Sequence, residues 1–78
     1  NLLQLTDAVP LSLEVYDLAG RRCRVIHSGL QQSGHFRFAW DGLDDEGALV
    51  PPGLYLYRLG VEAQRGQIQE SGTVAVVY

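Results

Sequence analysis

The residues with the most chemical potential crowd into one short stretch. Asp41, Asp44, Asp45 and Glu46 place four carboxylates close together, and oxygen donors on a flexible loop are the ligands that calcium takes. Their spacing departs from the EF-hand loop, which needs an Asp-x-Asp-x-Asp-Gly ladder closed by a glutamate at its twelfth position. Asp beside Gly42 and Gly47 more commonly accepts bonds from its own downstream amides in a solvated turn. These four side chains are the one candidate metal set, and turn chemistry is the stronger expectation for them.

His27 and His35, with Asp41, are the residue types of general acid–base work. Ser28, Ser33 and Ser71 offer hydroxyls, but none is framed by a nucleophile elbow or a triad motif. Cys23 falls at an apolar phase of its segment, where an inert buried thiol is expected. A lone cysteine excludes an internal disulfide, and no Cys/His cluster has zinc spacing. The expectation is a chain with no catalytic residues and no cofactor.

The bulk numbers point the same way. A chain of 78 residues makes one domain, and at that size only about 60% of the unfolded surface is buried. Apolar residues at 46% and charged residues at 19% suit a folded chain rather than a disordered one. A net charge of −3 argues against nucleic acid, where a basic face must displace counterions. It also supplies no polybasic patch for an anionic membrane, and no apolar run approaches the ~20 residues that span a bilayer. The chain contains no methionine, so residues 1–78 are expected to be a single module cut from something longer.

The elements that must position these residues read as strands. Apolar residues recur with period two, punctuated by Gly and Pro, and no window sustains a 3.6 period. Leu2–Thr6 reads as a first strand and Asp7–Pro10 as a connection. Leu11, Leu13 and Val15 then share one face, with Ser12, Glu14 and Tyr16 on the other. Asp17 and Gly20 close a tight turn. Arg21–His27 returns, its adjacent Val25 and Ile26 suggesting a bulge or an edge, and Ser28–Gly34 follows as a polar loop. His35–Trp40 puts Phe36, Phe38 and Trp40 inward. Asp41–Gly53 is a turn-rich loop whose Pro51 and Pro52 each delete an amide donor. Leu54–Ala63 sets Tyr55, Tyr57, Leu59 and Val61 on one face. Gln64-Arg65-Gly66 makes a hairpin turn, and Gln67–Tyr78 forms a last, nearly uncharged strand with a bulge at Gly72.

Six or seven strands with short connections exclude a parallel sheet, whose crossovers are long. The expected fold is all-β, a small antiparallel β-sandwich. Its aromatics fill the interior, Tyr16 alone falling on the outward phase; Tyr16, Tyr57, Tyr78 and Trp40 are the candidates for a sugar-stacking platform. An edge at the last strand would offer free amides for β-augmentation by another chain.

Three stretches carry a family resemblance. Leu13-Glu14-Val15-Tyr16-Asp17-Leu18-Ala19-Gly20-Arg21 resembles a "vYDxxGR" hairpin. Trp40-Asp41-Gly42-Leu43-Asp44-Asp45-Glu46-Gly47 is similar to a "WDGxDxxG" loop, and Pro51-Pro52-Gly53-Leu54-Tyr55-Leu56-Tyr57-Arg58-Leu59 to a "PxGxYxYRL" strand. In that order they resemble the immunoglobulin-like module of the flagellar hook-capping protein and its kin, the C-terminal sorting domains of type IX secretion. The resemblance implies a seven-stranded immunoglobulin-like sandwich without a catalytic site. Its structural motif residues here are Asp17, Gly20, Trp40, Asp41, Gly42, Gly47, Gly53 and Tyr55. It implies an extracytoplasmic location and a role in export recognition, surface attachment or assembly, with other protein chains or domains as partners. The chain departs from the sorting domains at Thr73–Tyr78, which lacks their terminal lysine. A carbohydrate-binding module and a passive spacer are the alternative functions.

Overall fold

The computed structural model describes residues 8–32, 38–63 and 66–78. The expected strand Leu2–Thr6, the His35–Arg37 part of the next inward-facing stretch, and Gln64 and Arg65 lie outside these residues.

Alternation and turn chemistry build four strands: β1 (Ala8–Tyr16), β2 (Arg22–Gln32), β3 (Gly53–Ala63) and β4 (Gly66–Val76). They form one antiparallel sheet in the order β2-β1-β3-β4. The β1–β2 hairpin is closed by Asp17, whose Oδ1 accepts the amides of Ala19 and Arg21 at 2.9 Å while its Oδ2 meets Arg21 Nε at 3.0 Å. Gly20 completes the turn at φ 90°, a backbone region that a side chain disfavours. At the other end of the sheet Ala63 pairs with Gly66, a two-residue connection.

Three boundaries differ from the sequence pattern. The expected connection Asp7–Pro10 gives way from Ala8 to strand, with Pro10 opposite Leu30. The ladder from β1 to β3 begins only at Leu11, so on one side of β1 Pro10 has no strand partner among the described residues, and a missing donor is tolerated there. The expected polar loop after His27 is strand through Gln32, because backbone pairing with Ala8–Ser12 needs no apolar side chain. Phe38–Trp40 lies outside any strand although its inward phase holds: Phe38 and Trp40 are half-buried and Ala39 is exposed. The described residues therefore contain four strands, fewer than the six or seven expected.

The two irregularities of β2 fall where the alternation breaks. Leu13 faces His27 while Glu14 faces Val25, which leaves Ile26 unpaired. Val15 faces Arg24 while Tyr16 faces Arg22, which leaves Cys23 unpaired. Both extra residues pack toward the core around Val15, Val50 and Tyr55. Burying Val15, 1% exposed, contributes about 1.5–3 kcal/mol.

Gly72 is not a bulge. The β3–β4 register runs unbroken, with Gly72 directly opposite Tyr57. A Cβ at Gly72 would stand 2.6 Å from the Tyr57 ring, so the glycine is the bed on which that tyrosine lies.

Candidate functional site

The stretch 38–52 folds back over the inner face of the sheet and locks there through its polar groups. Trp40 packs edge-on to Tyr55 at a centroid distance of 5.3 Å, and its indole N–H donates to Leu43 O at 2.9 Å. Tyr55, almost fully buried, donates its hydroxyl to Pro51 O at 2.6 Å. Burial pushes the Tyr55 phenol above its ordinary value. From the C-terminal end, Tyr78 donates to Val50 O at 2.7 Å.

Each of the three aspartates in the acidic stretch is engaged by backbone amides. Asp41 Oδ1 accepts the amide of Leu43 at 3.0 Å and meets Arg24 at 3.3 Å. Asp44 Oδ1 accepts the amides of Glu46 and Ala48 at 2.9 Å, a local Asx turn of the kind the sequence suggests. Asp45 reaches across to β2: its Oδ1 accepts the amide of Val25 at 3.0 Å, and its own amide donates to Cys23 O at 2.9 Å. Arg24 adds a bond to Leu43 O at 2.9 Å. The acidic loop is thus a clasp on the outer edge of β2. Glu46 is exposed beside it. Among the described residues, no group of three or more His, Cys, Asp or Glu is gathered to hold a metal ion.

The residue types of catalysis are dispersed. His27 lies against Phe38 at 5.2 Å, and its buried Nε2 has no hydrogen-bond partner among the described residues. Asp41 is committed to Arg24 and Leu43, and His35 lies outside the described residues. Ser28 and Ser71 are exposed on separate strands; Ser33 is also outside the described residues. Cys23 lines an open cleft of about 650 Å³ with Asp17, Asp44, Asp45 and Tyr55. Burial pushes its thiol up, away from the reactive thiolate.

The outer face holds Tyr16. Its hydroxyl donates to Glu14 Oε1 at 2.6 Å, the main reason its phenol is raised. Glu14 Oε2 meets Arg22 at 3.3 Å, and the Arg58 guanidinium lies 4.9 Å from the centroid of the Tyr16 ring. One face of that ring is already taken by a cation. Of the four candidate aromatics for sugar stacking, Trp40 and Tyr78 are tied to the loop, Tyr57 lies on Gly72, and Tyr16 lies under Arg58.

The family model described as the FlgD Ig-like domain matches residues 2–67, most of the chain and all three motif stretches. The chain belongs to the FlgD Ig-like domain family. No curated protein and no solved structure matches it. Within a FlgD Ig-like domain the motif residues have identifiable work: Asp17 and Gly20 close the β1–β2 hairpin, Trp40 and Tyr55 build the core, and Asp41 holds the clasp to Arg24. Gly42 and Gly47 take φ of 80° and 85° inside it, and Gly53 opens β3. The edge-capping role of Asp45 has no sequence signal, since its partners Cys23 and Val25 lie far away in the chain. No helix among the described residues is long and apolar enough to cross a membrane.

Proposed function

We propose that the chain is a non-catalytic structural module, related to flagellar hook assembly, that serves export recognition, surface attachment or assembly of a larger extracytoplasmic protein. The single observation that carries the reading is that the polar and aromatic motif residues serve the architecture. Asp17, Asp41, Asp44 and Asp45 bond backbone amides, while Trp40 and Tyr55 pack against one another. Such a chain presents surfaces rather than a reaction centre. The four acidic residues Asp41, Asp44, Asp45 and Glu46 are proposed to act without calcium, so adding a chelator leaves the melting temperature unchanged; a ligand bound only to the folded state would raise it.

The complete module is proposed to be a two-layer immunoglobulin-like sandwich of six or seven strands. Supporting this is an apolar cleft of about 390 Å³ on the inner face, lined by Leu13, Ile26, Phe38, Trp40, Leu59 and Val74, where a second layer would sit at the usual ~10 Å spacing. Kinship to the type IX sorting domains belongs to the same proposal. Fusing residues 1–78 to a reporter is expected to carry the reporter to the cell surface of a competent host. A reporter that stays in place would leave a passive spacer as the reading. Retention on a polysaccharide column that is lost in Tyr16→Ala would replace the proposal with sugar binding.

A further inference from the structure

An antiparallel sheet packed on one face ordinarily turns polar residues to the other. Here the outer face is apolar at one end. Register places Tyr16, Leu56 and Thr73 in one outer row, with Leu54 and Ala75 in the next. Leu54 is 53% exposed and Leu56 36%, and Thr73 and Ala75 are exposed beside them. Single exposed leucines are ordinary, but a contiguous apolar patch with a polar rim marks a contact surface.

The row that borders the patch holds Glu14, Arg58 and Ser71. Glu14 gives one oxygen to the Tyr16 hydroxyl and the other to Arg22. Arg58 lies over the Tyr16 ring and pairs with no carboxylate among the described residues. Two guanidiniums therefore border the patch against one carboxylate, and the fork of donors on Arg58 is still on offer. None of residues 1–7, 33–37 or 64–65 can reach this end. From Ala8 to Tyr16 the strand runs ~26 Å, and Leu54 lies beyond it. Seven residues span at most ~24 Å even when fully extended. Residues 33–37 bridge Gln32, level with Ala8, to Phe38 against His27, and residues 64–65 join Ala63 to Gly66 at the same far end.

We propose that this outer patch docks a segment of another protein, one that lays an apolar side chain on Leu54 and Leu56 and a carboxylate on Arg58. This rests on the structural-module reading above and names the chemistry of its partner. Leucines favour a protein over a sugar, which needs open aromatic faces, and Arg58 already covers one face of Tyr16. A net charge of −3 disfavours an anionic membrane.

The test titrates the chain with three blocked peptides, in which leucine alternates with glutamate, glutamine or lysine, and follows amide NMR shifts. The glutamate peptide is expected to shift Tyr16, Leu54, Leu56, Arg58 and Thr73 and to bind about tenfold tighter than the lysine peptide. Arg58→Gln removes most of that preference, as does about 1 M salt. Leu54→Ser weakens binding of all three peptides; Leu56→Ser is the second variant should the first misfold by Trp40 fluorescence. Ile68→Ser, at a site 58% exposed on the inner face, leaves binding unchanged. No shift with any peptide would overturn the docking surface. So would equal binding of the glutamate and lysine peptides, shifts centred on the inner cleft, or unaltered binding in both leucine variants. Shifts of the same amides by a soluble oligosaccharide alone would overturn it in favour of a sugar surface. A chain that fails these titrations yet still carries a reporter to the cell surface overturns the patch alone and leaves the attachment reading intact.

Discussion

The outermost strands of this sheet solve one problem in two ways. On β2 the backbone is bent by unpaired Cys23 and Ile26, and what the bends expose is taken up by an aspartate from the far side of a loop. On β4 the backbone is straight, evenly paired and left uncovered among the described residues, with its middle fixed by a tyrosine lying on a glycine. The difference teaches where specificity is built. A strand that bulges needs polar groups supplied from elsewhere in the chain, whereas a regular one is satisfied by the ladder with its neighbour.

The comparison can be broken most severely at the clasp. Trp40→Ala removes the ring that seats the loop on Tyr55 and should cost about 3 kcal/mol. In differential scanning calorimetry it lowers the melting temperature by well over ten degrees, roughly 4–8 °C per kcal/mol for a domain this small. A shift of a degree or two would mean that the loop holds to β2 without its indole. On the opposite edge, Gly72→Ala forces a methyl against the Tyr57 ring and should cost about 2 kcal/mol. Pairing it with Tyr57→Ala should return part of that loss, and a double-mutant cycle with no coupling would show that the contact matters little.

Asp45→Ala is the sharper probe. It removes the bond that the Val25 amide makes, at a cost of about 1 kcal/mol, and speeds hydrogen exchange there. Unaltered exchange at Val25 would remove the capping role. The smallest effect is in the turn that joins β1 to β2. The Asp17 carboxyl is held below its ordinary value, first by the backbone amide of Arg21 and also by the Arg21 side chain. A depressed carboxyl stabilises the fold above its unfolded value, near 3.8 for an ordinary aspartate, and that contribution disappears as pH falls below it through the folded value. The melting temperature should therefore drop on acidification below about pH 4, and Asp17→Asn should flatten that drop; a variant with the same acid profile would disprove it.

What could be read from the residues follows the range of the forces involved. Period-two alternation located Leu11–Tyr16 and the Tyr55–Val61 face, and Asp17 with Gly20 marked the turn, because each signal is local. The adjacent Val25 and Ile26 announced the bulge for the same reason. Ser28–Gln32 escaped because its pairing depends on backbone groups that every residue carries. Gly72 reads as a bulge from sequence because an isolated strand glycine looks the same whether it bends the chain or beds a ring; only the opposite Tyr57 decides. In the acidic stretch, the Asx turn of Asp44 is a short-range habit, but Asp45 meets Val25 and Cys23 only after the sheet has formed.

The strand order has a kinetic consequence. β1–β2 and β3–β4 are hairpins with short connections, and each can zip early. Their junction is the β1–β3 seam, where Leu11 must find Val61 and Leu13 must find Leu59 across the whole intervening chain. The closure entropy of that long loop has to be met before the seam rewards it, so the rate-limiting encounter is the meeting of two preformed halves. Substitutions at Leu13 or Leu59 should then slow refolding more than equally destabilising ones in either turn, which stopped-flow chevrons would register directly.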